Sequence, residues 1–141
     1  MVDRIFGGCL CGGIRYRYDG PLGHDVGTVT VCYCSQCRKA QGFAAATAPA
    51  LAAGFSITQG QALLREYESS PGKKRGFCGV CGSPLYSRRD ALPQAIRLRL
   101  GALEGERAHA IRIEAHIYTE GAPAWSEADA APRYPGEEPE R

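Results

Sequence analysis

Seven cysteines fall into three clusters: Cys9-x-Cys11, Cys32-x-Cys34-x-x-Cys37 and Cys78-x-x-Cys81. Each cysteine has a near neighbour at a spacing that suits metal ligation. Sulfurs close in sequence form a chelating loop with few backbone dihedrals frozen per ligand. Gly8, Gly12 and Gly13 flank the first pair, and Gly79 and Gly82 the last, so the backbone can curl around an ion. The segment Phe77-Cys78-Gly79-Val80-Cys81-Gly82-Ser83 has the pattern of a zinc knuckle, in which backbone N–H groups can point at the thiolates. Zinc favours tetrahedral thiolate sites, closed by four protein ligands when structural and left open when catalytic. Seven divides into four and three. The compact Cys32, Cys34, Cys37 loop can supply three sulfurs to one ion unaided. Cys9 and Cys11 would then meet Cys78 and Cys81 across the fold in a closed site, tying the N-terminal strand to a hairpin about seventy residues away.

Other uses of these cysteines stay open at this point. All seven could be structural. A redox dithiol at Cys-x-x-Cys would lack the βαβ context of thioredoxin-like motifs. Three disulfides would strand a seventh thiol and need strained Cys-x-Cys bridges. Iron–sulfur ligation leaves the division into four and three without a reason.

The elements that must position these sulfurs read mainly as strands. Apolar residues recur with period two: Ile14, Tyr16, Tyr18; Val29, Val31; Ile96, Leu98, Leu100; Ile111, Ile113, Ile117. Arginines alternate with several of them, at Arg15, Arg17, Arg97, Arg99 and Arg112. Gly and Pro mark the gaps between runs. The pattern predicts a mainly β domain of small antiparallel sheets, one face apolar and the other wetted by arginines. One short helix is expected over Ser35–Gln41, capped by Ser35 and stopped by Gly42. The domain should span residues 1–126, and residues 127–141, with five acids and four Pro or Gly, should form an acidic surface tail.

The chain has 141 residues, the size of one domain. Lys and Arg number 17 and Asp and Glu 15, a formal net charge of +2. That balance argues against a nucleic-acid partner. The longest apolar-leaning run, Phe43 to Phe55, is too short and too broken for a membrane helix. No secretory signal is visible, so the expected compartment is the reducing cytoplasm, where clustered cysteines serve metals more than disulfides.

Other polar residues carry weaker expectations. Arg38 and Lys39 follow Cys37 and could offset thiolate charge or hold a carboxylate. Lys73-Lys74-Arg75 reads first as a solubilising hairpin tip and second as a guide for an anionic substrate. His24, His109 and His116 lie at no ligand spacing to a cluster. Trp125 and the tyrosines read as core.

Taken together, three stretches resemble the glutathione-dependent formaldehyde-activating enzyme family, which includes centromere-protein-V-like proteins. They are Gly8-Cys9-Leu10-Cys11-Gly12-Gly13-Ile14-Arg15-Tyr16, Cys32-Tyr33-Cys34-Ser35-Gln36-Cys37-Arg38-Lys39 with Gly42, and the knuckle Phe77–Ser83. Leu100-Gly101-Ala102-Leu103, His116-Ile117-Tyr118, Trp125 and Pro132-Arg133-Tyr134 support it. Tyr33 stands where the family often has His. The resemblance implies a β-tent fold, a structural zinc on Cys9, Cys11, Cys78 and Cys81, and a catalytic zinc on Cys32, Cys34 and Cys37. It further implies a carbon–sulfur lyase that joins glutathione and formaldehyde into S-hydroxymethylglutathione, with the substrate thiolate taking the open position of the three-cysteine zinc. The competing expectation is a non-enzymatic zinc-stabilised module that binds a protein or nucleic acid. Once seven thiolates and two zinc ions are counted, the net charge falls from +2 to about −1.

Overall fold

The computed structural model describes residues 4–126 and 130–137. The expected tail at 127–141 therefore lies partly outside the described residues, as does the side chain of His24. Two sheets make up the protein. The smaller contains β1 (Arg4–Gly8), β2 (Arg15–Asp19), β5 (Phe55–Gln59) and β10 (Leu103–Glu104), in the order β10-β1-β2-β5. The larger contains β3 (Thr30–Cys32), β4 (Ala45–Leu51), β6 (Leu64–Ser70), β7 (Lys73–Cys78), β8 (Pro84–Arg89), β9 (Ala95–Arg99) and β11 (Ala115–Ile117). Its order is β11-β3-β4-β9-β8-β7-β6. Two short helices, α1 (Ser35–Gln41) and α2 (Glu106–His109), complete it. The fold is mainly β, as the period-two pattern requires. One pairing departs from the antiparallel expectation: β11 runs parallel to β3.

Alternation decides what faces inward. In β2, Tyr16 and Tyr18 are buried while Arg15 and Arg17 are not. In β9, Ile96 and Leu98 enter the core. The inner faces of both sheets supply a single apolar cluster, with Ile5, Ile14, Tyr16 and Tyr18 from one side and Ala50, Leu85, Tyr86, Ile96 and Leu98 from the other. Aromatic contacts stitch it together: Tyr16 to Phe55 at 5.1 Å and Phe55 to Tyr86 at 5.6 Å. The Tyr18 hydroxyl accepts the Leu51 N–H at 3.0 Å and donates to the Pro21 carbonyl. Gly7 has to be glycine, since a Cβ there would meet the Tyr16 ring at 2.4 Å.

Pro49 lies within a central strand without breaking it. β3 pairs with β4 only as far as Thr30–Thr47, so Pro49 faces Arg97 of β9 on one side and has no β3 partner on the other. A missing N–H is tolerated at such a place.

Three expectations need correction. The N-cap of α1 is Cys34, not Ser35: its sulfur accepts the Cys37 N–H at 3.3 Å. Gly42 does end the helix, with φ +82°. Ile111 and Ile113 are not in a strand; α2 precedes them, and Glu114 instead accepts the Val29 N–H at 2.9 Å through its carboxylate. Trp125 is not core. It is 57% exposed and packs with its ring tilted against Phe43, centroids 5.2 Å apart.

Leu98 is wholly enclosed at 0% exposure. Leu98→Ala should destabilise the protein by about 2–5 kcal/mol through lost transfer free energy and a residual cavity. A urea titration with unchanged m-value checks this.

Candidate metal centres and the adjoining cavity

Cys9 and Cys11 lie in the turn from β1 to β2; Cys78 ends β7 and Cys81 lies in the turn from β7 to β8. Both turns close on a left-handed glycine. Gly12 (φ +76°) donates its N–H to the Cys9 carbonyl at 3.1 Å, and Gly82 (φ +79°) to the Cys78 carbonyl at 2.8 Å. This curl aims other N–H groups at sulfur: Ile14 at Cys9 (3.2 Å), Val80 at Cys78 (3.4 Å) and Cys81 at Cys78 (3.5 Å). The four sulfurs lie within 4.8 Å of one another, with Cys9 and Cys11 at 3.5 Å and Cys11 and Cys78 at 3.9 Å. A tetrahedral zinc with bonds of about 2.3 Å separates its sulfurs by about 3.8 Å. A disulfide needs about 2.0 Å, and all seven cysteines are free.

The protonation of these thiols is divided. The Ser83 hydroxyl, followed by backbone N–H groups, pushes Cys81 down to about 5. For Cys11 the Gly13 N–H favours the thiolate, but Cys9 and the other sulfurs outweigh it and push Cys11 up to about 11. The neighbouring sulfurs resist a fourth negative charge, and a cation among them would let all four ionise. The donor set suits zinc.

The second group combines Cys32 at the end of β3 with Cys34 and Cys37 at the start of α1. Their sulfurs also lie within 4.8 Å, and among the described residues no His, Asp or Glu joins either group. Burial pushes Cys32 up to about 12. Cys34 is also partly buried, but the Cys37 N–H and neighbouring sulfurs bring it below the usual thiol value. The N–H that caps α1 therefore also orients a candidate ligand.

This second group opens on a cavity of about 600 Å³, within the range of small-molecule sites. Hydroxyls of Thr30, Thr47 and Ser87 line it, and Ile117 and Tyr118 stand at one side. Five cations line it as well: Lys73, Arg75, Arg89, Arg97 and Arg99. Arg75 bonds Ser69 Oγ through Nε at 2.9 Å and brings both terminal nitrogens to 3.9 Å from Cys37 Sγ. Arg97 donates to Thr47 Oγ1 (2.9 Å), the Thr28 carbonyl (2.7 Å) and Thr30 Oγ1 (3.2 Å).

The arginine face of this sheet is thus not wetted as expected. Arg99 is 3% and Arg75 9% exposed. The alternation of Arg97 and Arg99 with Ile96 and Leu98 is visible in sequence, but a buried polar face and a solvated one alternate alike. Arg38 and Lys39 lie on α1 and are not among the residues lining the cavity, whereas Lys73 and Arg75 are. His116 is exposed on β11, its Nδ1 2.8 Å from the Tyr33 hydroxyl. His109 is exposed at the end of α2.

The two groups should respond differently to substitution. Cys78→Ser breaks a link between sheets and should lower Tm by roughly 10 °C or more, equivalent to about 3 kcal/mol at this size. Cys34→Ser alters one local loop and should cost less than half of that. Element analysis should show each variant short of one zinc per chain, and equal Tm losses would contradict the division of roles.

Residues 4–121, which include all seven cysteines, match the family model described as glutathione-dependent formaldehyde-activating enzyme. A Rhodobacter sphaeroides protein of known crystal structure has the same fold, with TM-score 0.60 and 24% identity, covering 79% of this chain and 98% of that one. No curated protein matches the chain. With its three cysteine clusters inside the matched region, the chain belongs to the glutathione-dependent formaldehyde-activating enzyme family.

Proposed function

We propose that the protein is a zinc-dependent carbon–sulfur lyase that joins a thiol to a small aldehyde and can run the reaction backwards. The observation that carries this reading is the three-sulfur group of Cys32, Cys34 and Cys37 opening on a cavity of about 600 Å³. The four-sulfur group of Cys9, Cys11, Cys78 and Cys81 lies elsewhere, between turns of the two sheets, which supports a structural role for it. Family membership supports glutathione and formaldehyde as the first pair to test.

A zinc ion held by Cys32, Cys34 and Cys37 would supply thiol deprotonation at neutral pH. Three thiolates against one divalent ion leave a net charge of −1, a poor setting for polarising a carbonyl, so activation of the thiol is the expected contribution. Arg75 offsets that charge at Cys37 from 3.9 Å. The hydroxyls of Thr30, Thr47 and Ser87 offer hydrogen bonds to the oxygen that becomes the product alcohol. The balance is simple: the thiol gives up its proton, sulfur bonds to the aldehyde carbon, and the carbonyl oxygen takes a proton. Such chemistry suits a compartment that keeps thiols reduced, and we assign the protein to the cytoplasm on that ground. Among the described residues no helix is long and apolar enough to cross a membrane.

The test is exchange between formaldehyde, glutathione and S-hydroxymethylglutathione, followed by NMR above the uncatalysed background. Protein with two zincs per chain should accelerate exchange. Cys34→Ser should lower that acceleration at least 100-fold while the four-cysteine site stays loaded. Background exchange by fully loaded protein would reject the lyase.

A further inference from the structure

The hairpin of β7 and β8 sorts its cations by face. Lys74 and Arg88 are satisfied by acids: Lys74 meets Asp90 at 2.8 Å and Glu68 at 3.8 Å, and Arg88 meets Glu66 at 2.7 Å and Asp90 at 3.1 Å. Their chain neighbours Lys73, Arg75 and Arg89 line the cavity instead, with Arg97 and Arg99 of β9. Among the described residues none of these five pairs with a carboxylate, and no acid lines the cavity.

Arg99 is the extreme case. It is almost fully enclosed, and its Nε has no hydrogen-bond partner among the described residues. Burial, reinforced by the neighbouring Arg75, pushes it down to about 10. Burial also pushes Lys73 down to about 8, with Arg89, Arg75 and Arg99 adding to the effect. Arg75 and Arg99, buried side by side without a carboxylate partner, are costly to hold out of water. The cysteines balance only part of this charge: three thiolates with a divalent ion carry −1, against five cations. The cavity therefore has an excess of about four positive charges.

We propose that this excess binds the carboxylate of a small aldehyde acid, so that the carbonyl partner of the thiol is an anionic aldehyde. The inference rests on the lyase reading and names its substrate class. Two observations put the anion on the carbonyl half. Arg75 touches the Cys37 sulfur, so an anion it holds lies close to the reacting carbon. The γ-glutamyl end of glutathione carries an ammonium group that no acid lining the cavity receives, and its glycyl carboxylate lies several bonds from the sulfur, whereas the carboxylate of an aldehyde acid lies next to the carbon that sulfur attacks. In the step itself the thiol proton ends on the carbonyl oxygen, sulfur bonds to the aldehyde carbon, and the carboxylate is unchanged. Nothing is oxidised or reduced. Arginine is the fitting cation, since its fork matches a carboxylate with two parallel hydrogen bonds.

Calorimetry on the zinc-loaded protein tests this with three probes. Glyoxylate is the aldehyde acid. Glycolate has no aldehyde to condense with Lys73 and so isolates recognition of the anion. Glycolaldehyde is uncharged. Glyoxylate and glycolate should each saturate one site per chain, with glycolaldehyde at least tenfold weaker. Arg97→Gln should weaken glycolate about tenfold. Arg89→Gln, at an exposed position that tolerates change, should weaken it about threefold with Tm unchanged. Equal binding of glycolate and glycolaldehyde, or no effect of either substitution, would overturn the proposal. So would weakened glutathione binding in these variants when neither acid saturates, because the anion would then belong to the thiol. Zinc content and formaldehyde exchange are scored separately. Glycolate bound normally by protein without exchange activity would support the anion site while rejecting the lyase.

Discussion

Two turns, one leaving each sheet, meet sulfur to sulfur. Cys9 and Cys11 come from the β1–β2 turn, Cys78 and Cys81 from the β7–β8 turn, and their four sulfurs lie within 4.8 Å. At that separation thiolates repel unless a cation sits among them, so the contact adds to the hold between the two sheets only when its charge is balanced. It complements the apolar cluster between the sheets, in which Tyr16, Phe55 and Tyr86 form the bridge. Anchoring the β7–β8 turn also anchors the register of β7, β8 and β9. That register puts Arg75 opposite Ser87, and Ser87 opposite Arg97.

The larger sheet consequently has two distinct faces. One supplies Ala50, Ile96 and Leu98 to the core. The other collects Cys32, Thr30, Thr47 and the cations of the cavity. Strand alternation produces both from the same stretches of chain. A net charge near neutrality describes the whole protein and conceals this arrangement. Acids are paired with Lys74, Arg88, Arg4 and Arg15 at the surface, and the cavity is left with cations and sulfur. Electrostatic selectivity here is a property of the cavity and not of the isoelectric point.

The sulfur groups show how local chain geometry prepares a site. Gly12 and Gly82 curl their turns and bring N–H groups to Cys9 and Cys78. At α1 the cap is a thiol in place of the expected hydroxyl of Ser35: Cys34 Sγ accepts the Cys37 N–H. One hydrogen bond thereby starts a helix and orients a candidate ligand atom.

Residue type and spacing alone determined the cysteine clusters, their division into four and three, the period-two strands and the helix over Ser35–Gln41, because each depends on neighbours within a few residues. Family membership followed from the same short motifs. Tertiary structure decided what no local pattern carries. Trp125 lies at the surface because its segment packs on Phe43 and not between the sheets. β11 pairs parallel to β3 because a long connection returns it to that edge. Arg97 and Arg99 look in sequence like a solvated face, and only the folding of β3, α1 and β11 over them turns that face into a cavity wall. Lys73 and Lys74 are adjacent and alike in sequence, yet the strand sends one to the cavity and the other to Asp90. Whether a charge meets water, an acid or a cavity depends on residues distant in the chain, and that is why the cationic wall became visible only in three dimensions.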